Sequence, residues 1–337
     1  MKTYNVGILG ATGAVGREML KVLEERNFPV NELRLLASER SVGKKVTFRG
    51  VEIEIKLACH EAFEGLDIVL GAASNPVAIE FKDDIVKAGA VFIDNSSAFR
   101  LDEDVPLVVP EINGDDVFKN KGVISNPNCS TIITLMAVKG INKLSKIQAM
   151  NACTYQATSG AGYPGVPSFD MIDNIVPYIG GEEEKTEKEC LKILGKVDGD
   201  KITNAEYPVV SSTCTRVPVI DGHTACVSLE FDLPEDKKPS LEEIEKVWTS
   251  YTSLPQELKL PSAPEHPIVV RHEENRPQPR RDRETEKGMA CVIGRLRPCN
   301  VFDVKFVALS HNTKRGAAMG GILNAELLKA KGFFDNL

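Results

Sequence analysis

Y-N-V-G-I-L-G-A-T-G-A-V-G, residues 4–16, decides how the first half of the chain folds. Tyr4 to Leu9 is a short apolar run of the kind buried in a parallel sheet, and Val15, Met19, Val22 and Leu23 then recur at helical spacing. A strand, a glycine turn and a helix in that order form a dinucleotide-binding unit. Gly10 permits the turn, Gly13 lets backbone approach a pyrophosphate, and Gly16 lets helix and strand pack closely, with Ala11 and Thr12 beside the phosphates. The spacing is G-x-x-G-x-x-G rather than the usual G-x-G-x-x-G, so a purely structural turn is the competing reading.

Moving outward, a second strand from Leu33 to Ala37 runs into S-E-R-S-V-G-K-K. An acidic residue at that strand end would bind a ribose 2′-hydroxyl; Ser38 stands there instead, with Arg40 two residues on. A hydroxyl and a guanidinium suit a 2′-phosphate, which favours NADP(H) over NAD(H), although Glu39 lies between them. Val46, Phe48, Val51, Ile53 and Ile55 largely alternate with polar residues, which predicts an edge hairpin turning near Gly50. Asp67 to Ala73 reads as another buried strand, and Ser74-Asn75-Pro76 as a loop and helix start beside the cofactor. The strand Ala90 to Asp94 opens into D-N-S-S-A-F-R, which places Arg100 past a strand end, on the ligand side of an open parallel sheet. Arg100 is therefore a candidate anion clamp, against the ordinary alternative of a solvated surface arginine.

S-N-P-N-C-S-T, residues 125–131, joins a buried strand ending at Val123-Ile124 to the apolar helical series Ile132, Ile133, Leu135, Met136 and Val138. That geometry puts Cys129 at a helix N-terminus, where unpaired N–H groups and the helix dipole favour a thiolate nucleophile. A small buried hydrophobe is the alternative for any single cysteine. Beyond this helix, five long antiparallel-looking strands are expected, at about 146–157, 209–219, 224–233, 289–296 and 301–311, with helices at 182–194 and 240–251. They predict a second domain around a larger mixed or antiparallel sheet. Gln156 to Pro167 is too rich in glycine and proline for strand or helix, and the segment Thr313 to Lys331, small and apolar on one face, is expected to return to the nucleotide domain.

Composition narrows the classes of function. A net charge of -7 and a pI near 5.5, without long basic blocks, argue against nucleic acid as a partner. No apolar run approaches the ~20 residues that span a bilayer, and the N-terminus enters a strand pattern directly, so a cytoplasmic protein without a membrane partner is expected. Eight cysteines with no C-x-x-C pair and five scattered histidines point to reduced thiols, with neither a disulfide framework nor a metal site.

Together, G-A-T-G-A-V-G, S-N-P-N-C-S-T, Q-A-T-S-G-A-G-Y, E-E-E-K, R-V-P-V-I-D-G-H and H-N-T-K-R-G-A-A resemble, in order and along essentially the whole chain, the aspartate-semialdehyde dehydrogenase family. The resemblance implies an α/β protein: a Rossmann-like NADP-binding domain at 1–128 plus 312–337, and an α+β catalytic and dimerisation domain with a large mixed sheet at 129–311. It also implies NADPH-dependent reduction of L-aspartyl 4-phosphate to L-aspartate 4-semialdehyde, with phosphate release, in lysine, methionine and threonine synthesis. In the family pattern Cys129 attacks the acyl phosphate and becomes a thioester, which hydride from NADPH reduces. Gln156 orients the substrate and His223 is the acid/base group, with an imidazole that titrates near working pH. Asn128 and the Cys129 N–H are candidate oxyanion donors. Arg216 matches the α-carboxylate clamp, and Glu182 (with Glu183 a close second) and Lys185 match the holders of the amino group and the phosphate. Cofactor contacts implied by the match fall on Gly10, Ala11, Thr12, Gly13, Ala14, Val15, Ser38, Arg40, Ser41, Ser74, Asn75, Ser159, Gly160 and Asn312.

Arg216 precedes His223 by seven residues, ~23 Å on an extended strand, so a bend at Pro218 or Asp221-Gly222 must bring them together. Residues 159–185 look like the archaeal and fungal branch and D-N-S-S-A-F-R like the bacterial one, which leaves dimer and tetramer both open. R-P-Q-P-R-R-D-R, Arg276 to Arg283, resembles the archaeal and fungal group, as a loop near the active site with no assigned step. Two rivals share much of this pattern: an acyl-CoA reductase of the same fold, and a non-catalytic NADP-binding regulator. If the Ser38–Arg40 loop reads the 2′-phosphate, the protein uses NADPH in clear preference to NADH and Arg40→Ala weakens that preference. Equal rates with the two cofactors in the unaltered protein would refute the assignment.

Overall fold

A computed structural model of the chain describes residues 2–199 and 201–336; positions 1, 200 and 337, which the expected domain ranges include, lie outside the described residues. The chain forms two large sheets. The first contains β1 (Tyr4–Leu9), β2 (Val30–Ala37), β3 (Lys45–Phe48), β4 (Val51–Leu57), β5 (Ile68–Gly71), β6 (Val91–Asp94) and β7 (Val123–Ser125), in the spatial order β3-β4-β2-β1-β5-β6-β7. All neighbours are parallel except the β3–β4 hairpin, which turns at Arg49-Gly50 as its alternation predicts. Order reverses between β1 and β5, and ligands of open parallel sheets bind at such a switch point, outside the carboxyl ends of the strands.

Apolar side chains cover both faces of this sheet. Val6, Ile8, Leu35 and Ile93 pack against Met19, Val22 and Leu23 of the helix Ala14–Glu25 and against Ile322, Leu323 and Leu327 of the C-terminal helix Met319–Ala330. Leu9, Leu36, Val69 and Phe92 face Phe81 and Ile85 of the helix Asn75–Lys87. The C-terminal helix does pack against the first sheet. It is buried nearly all round rather than along one face, because helix, sheet and the segment after Pro110 enclose it together.

A two-stranded hairpin, β9 (Lys196–Asp198) and β10 (Lys201–Thr203), falls between the first and second strands of the second large sheet. That sheet contains β8 (Ile147–Gln156), β11 (Val209–Arg216), β12 (His223–Phe231), β13 (Ile268–Arg271), β14 (Cys291–Pro298) and β15 (Val304–Ser310), ordered β11-β8-β12-β15-β14-β13. It is mixed, since β11 runs parallel to β8 and β13 parallel to β14 while the remaining pairs are antiparallel. Sequence periodicity did not reveal β9, β10 or β13, which are three or four residues long and bounded by turn residues. The helix Cys129–Leu144 covers one face of the sheet, and Trp248 of the helix Leu241–Thr249 packs on the same core and donates from its indole N–H to the Ala137 carbonyl at 2.7 Å.

β8 lies between β11 and β12, so the chain must cross over its C-terminal end to pass from one neighbour to the other. Residues 217–222 make that crossing. Thr158 and Ser159 donate their N–H groups to the carbonyls of Val219 and Ile220, and Gly222 turns the chain at a φ of +101°. Arg216 and Gln156 stand in register on neighbouring strands, while Thr224, next after His223, pairs with Tyr155 from the other side. The ~23 Å of extended chain is thereby folded back on itself.

Candidate active site

At the carboxyl edge of the first sheet, a cleft of about 860 Å³ runs from the glycine turn to the start of the Cys129 helix. Its floor at one end is Thr12, Gly13, Ala14 and Val15, with Ser74 beside them. Gly10, at a φ of +88°, lies beneath: a Cβ there would stand 2.6 Å from the Ala72 carbonyl oxygen on the adjacent strand end. Gly16 is held by the Gly10 carbonyl, which a Cβ would strike. The helix Ala14–Glu25 begins with no side-chain cap and no acid in its first turn, so its first N–H groups remain available to an anion. These residues fit a dinucleotide pyrophosphate. Arg17, which sequence reasoning missed, lines the same end and donates to the Thr12 carbonyl at 2.9 Å.

Ser38 and Arg40 stand exposed at the end of β2, next to the turn but outside the cleft wall, and Ser41 is buried behind them. Asn75 also lies outside the wall and is bonded to Ser97, which lines it. Ser159, Gly160 and Asn312 line the opposite side. Asn312 ties that side together, giving its Nδ2–H to the Ser159 hydroxyl at 2.8 Å and accepting the Gly222 N–H at 2.9 Å.

At the other end stand Arg100, Asn128, Cys129, Glu182 and Lys185. Asn128 caps the nucleophile helix: its side-chain oxygen accepts the Ser130 N–H at 2.8 Å, and its amide donates to Glu182 at 2.8 Å. Lys185 Nζ lies 3.5 Å from the other Glu182 oxygen, and Gln156 Nε2 lies 3.4 Å from the first. Glu183 points elsewhere and accepts the Cys214 N–H of β11 at 3.0 Å, so of the two glutamates Glu182 faces the cleft. Gly316 packs on Cys129, where a Cβ would come within 2.5 Å of the cysteine Cβ.

Glu189 is the residue that sequence reasoning passed over. It is buried two turns beyond Glu182 on the same helix face, accepting Arg100 Nη1 at 3.0 Å and the backbone N–H of Asn128 at 2.7 Å. Lys192, one turn further, donates to the carbonyls of Arg100, Asp102 and Val105, and burial lowers its pKa to about 8. E-E-E-K-T-E-K-E thus has an exposed side at Glu184 and Lys188 and a buried one at Glu189, and Arg100 is buried rather than a solvated surface arginine. The seven-residue spacing from Glu182 to Glu189 was the one available signal.

Charges in and behind the cleft wall are unequally partnered. Arg100 has Glu189 and Lys185 has Glu182, while Arg216, also buried, meets no carboxylate within ion-pair distance among the described residues and donates Nη1 to the Ala157 carbonyl at 2.8 Å. Gln156, Arg216 and His223 do not line the cleft itself; Gly160 of its wall lies over the last two, and a Cβ on it would stand 2.8 Å from the guanidinium and 3.0 Å from the imidazole.

Two expectations from the sequence need correction. Cys129 is the first helical residue and is partly open to the cleft, but its thiol is pushed up to about 12, first by burial and then by Glu182, which outweigh Arg100, Arg216 and the helix start. Desolvation and a facing carboxylate disfavour the anion more than the helix terminus favours it, so the resting form is the thiol. His223 does not titrate near neutrality. Burial, then the charges of Arg216 and His311, push it down to about 3. Its Nδ1 accepts the Ala157 N–H at 3.0 Å, which assigns the proton of the neutral ring to Nε2, a buried atom with no protein partner.

With this geometry established, the known relatives agree with one another. Residues 5–120 match the family model for the semialdehyde dehydrogenase NAD binding domain, and residues 138–315 that for the semialdehyde dehydrogenase dimerisation domain. An aspartate-semialdehyde dehydrogenase from Archaeoglobus fulgidus is 42% identical, over 96% of this chain and 98% of its own. This chain belongs to the aspartate-semialdehyde dehydrogenase family. The Schizosaccharomyces pombe member is 40% identical over 98% of this chain and 99% of its own. The Candida albicans aspartate semialdehyde dehydrogenase, solved with NADP, superposes with a TM-score of 0.88 at 37% identity, covering 98% of this chain and all of that one.

In this family member the thiol and Glu182 are electrostatically opposed, which gives a direct test. Because the thiol pKa lies near 12, iodoacetamide alkylation of the free protein should be slow at pH 7 and rise about tenfold per pH unit through pH 9, following the thiolate fraction. Glu182→Gln removes the charge that raises the pKa and should quicken alkylation at fixed pH. Rapid, pH-independent labelling of the unaltered protein, or slower labelling of Glu182→Gln, would contradict this account.

Proposed function

We propose that Cys129 is the acyl acceptor of the aspartate-semialdehyde dehydrogenase reaction, NADPH-dependent reduction of L-aspartyl 4-phosphate to L-aspartate 4-semialdehyde and phosphate. The observation that carries this reading is the single cleft that leads from an anion-accepting glycine turn to a cysteine flanked by one free arginine and one cleft-facing glutamate. NADP(H), held along the turn, supplies hydride when bound. We assign 1–128 with 312–337 to its binding and 129–311 to catalysis and dimerisation.

Arg216, without a carboxylate of its own, takes the substrate α-carboxylate as a bidentate fork. Glu182 takes the α-ammonium. That pairing neutralises the carboxylate that raises the thiol pKa, so substrate binding itself eases loss of the Cys129 proton. It also draws Glu182 from Lys185, which with Arg100 holds the phosphate. As sulfur bonds to the acyl carbon the carbonyl oxygen gains charge, and as that charge collapses to the thioester the C–O bond to phosphate breaks and the departing group carries off the thiol proton as hydrogenphosphate. The Cys129 N–H, the Asn128 amide and the Nε2–H of neutral His223 serve as donors to that oxygen, while Gln156 orients the acyl group. A neutral donor needs no proton exchange with solvent between pH 5 and 8, so the free-enzyme pH profile carries no ionisation of His223 there.

Running the reaction in reverse separates this reading from its rivals. Aspartate semialdehyde should reduce NADP only with inorganic phosphate present, and Cys129→Ala should abolish turnover. CoA-dependent activity without phosphate would establish an acyl-CoA reductase instead, and undiminished turnover by Cys129→Ala would remove the thioester.

For assembly we propose a homodimer formed through the face of the second sheet that no helix covers. Tyr155 and Cys226 project from that face on neighbouring strands, and Val209 lies at its β11 edge. The segment between β8 and the Glu182 helix exposes Phe169, Ile172 and Tyr178 as well. Apolar surface of that extent on a matched dimerisation domain fits a second copy of the chain. Free thiols on all eight cysteines fit a reducing, cytoplasmic setting, and among the described residues no helix is long and apolar enough to cross a membrane. Sedimentation should give a dimer mass that Val209→Asp with Tyr155→Asp reduces to the monomer. A monomeric unaltered protein would reject the interface, and a tetramer unaffected by both substitutions would move it elsewhere.

A further inference from the structure

The arginine-rich loop from Arg276 to Arg283 has no part in the steps above, yet it is built with unusual order. Asp282 is fully buried at its centre. Its carboxylate accepts Arg276 Nε at 2.7 Å, the Gln278 N–H at 2.7 Å and Arg271 Nε at 3.3 Å, together with a further bond from Arg276 Nη2. Four donors on one buried carboxylate fix the loop to the end of β13. β14 passes so close that a side chain at Gly294 would strike the Arg276 carbonyl. The loop is therefore a rigid body on the second sheet rather than a mobile flap.

One surface of that body bears on the turn that delivers His223. Arg283 Nη1 donates to the Asp221 carbonyl at 3.1 Å. Gly222 follows at a φ of +101°, and a Cβ there would meet Pro279 Cβ at 3.2 Å and Arg283 Cβ at 3.3 Å. Asn312 holds the Gly222 N–H from the other side, and His223 begins β12 at the next position. Among the described residues the imidazole is held by one hydrogen bond, from Ala157 to Nδ1, so the direction of Nε2 depends on where the backbone of 221–223 is set.

We infer that Arg283, anchored through the Asp282 cluster, is a positioning residue for His223, and that the Arg276–Arg283 loop is the brace which aims the imidazole into the cleft. The inference rests on the reading of His223 as a donor to the reacting oxygen. The side-chain hydrogen bond of Arg283 goes to the Asp221-Gly222 turn, and Arg283 does not line the cleft, so the turn is the direct route by which it acts on His223. A displacement of the order of 1 Å at a catalytic group can cost about 10²-fold in rate, and loss of one of several supports should cost less.

Arg283→Ala should lower kcat by about 5–30-fold and leave KM for aspartate semialdehyde within about twofold, because Arg216 and Glu182 stand on other elements. Its melting temperature should match that of the unaltered enzyme, and Arg283→Lys should recover part of the rate. In a His223→Ala background Arg283→Ala should have no further effect, since two changes acting through one group are not additive. An unchanged kcat in Arg283→Ala, or the same fractional loss with and without His223, would overturn the brace while leaving the role of His223 intact. An unchanged rate in His223→Ala alone would instead overturn the reading on which the brace depends. Asp282→Asn, should it fold, is expected to reproduce the Arg283→Ala kinetics; if it does not fold, the Arg283 series decides the matter.

Discussion

The buried carboxylate of Glu189 is where the two halves of the molecule are held to a common geometry. It receives Arg100 from the loop after β6 and the backbone N–H of Asn128 that precedes the nucleophile helix, while its own helix packs against β11 of the other sheet. Taking two such charges from water costs several kcal/mol per ion, and the cost is offset only by close geometry and additional hydrogen bonds, which this site supplies. Removing one partner of such a pair typically costs about 3–5 kcal/mol because the other is stranded. Lys192, one turn further along, holds the same loop through three backbone carbonyls. The helix is thus a strut, with its first turn in the active site and its remainder fixing the loop that carries Arg100.

That arrangement explains how the site maintains a neutral nucleophile beside a row of charges. At the Cys129 end Arg100 and Lys185 already have carboxylates, while Arg216, at the place assigned to the substrate carboxylate, has none within ion-pair distance among the described residues. Burial first and the facing Glu182 second keep the thiol protonated, and burial first and Arg216 second keep the imidazole neutral.

Much of this was legible in residues 4–16 and 125–131. A strand, a glycine turn and an apolar helical series have local causes, and the doubly wound order follows once parallel strands must be connected by right-handed crossovers. The β3–β4 hairpin and the capped Cys129 helix were equally local. β9, β10 and β13 escaped because three or four residues carry too little periodicity to distinguish strand from loop. The buried face of E-E-E-K-T-E-K-E escaped because Glu182 and Glu189 meet Asn128 and Arg100, 54 to 89 positions away, on segments that no local pattern connects to it.

The sequence by itself determined the fold class, the glycine cradle, the position of Cys129 at a helix start and the residue types available to the reaction, since these depend on local sterics, periodicity and side-chain chemistry. Tertiary structure alone decided their protonation states and partners. Burial and the facing charges of Glu182 and Arg216 reversed the thiolate, and the imidazole titrating near working pH, expected from the sequence. The same packing selected Glu182 over Glu183, made Glu189 the hidden tie between domains, and set the arginine-rich loop against the turn at Gly222. The physical reason is common to all of these: desolvation and Coulomb interaction depend on distance in space, which the order of residues along the chain does not specify.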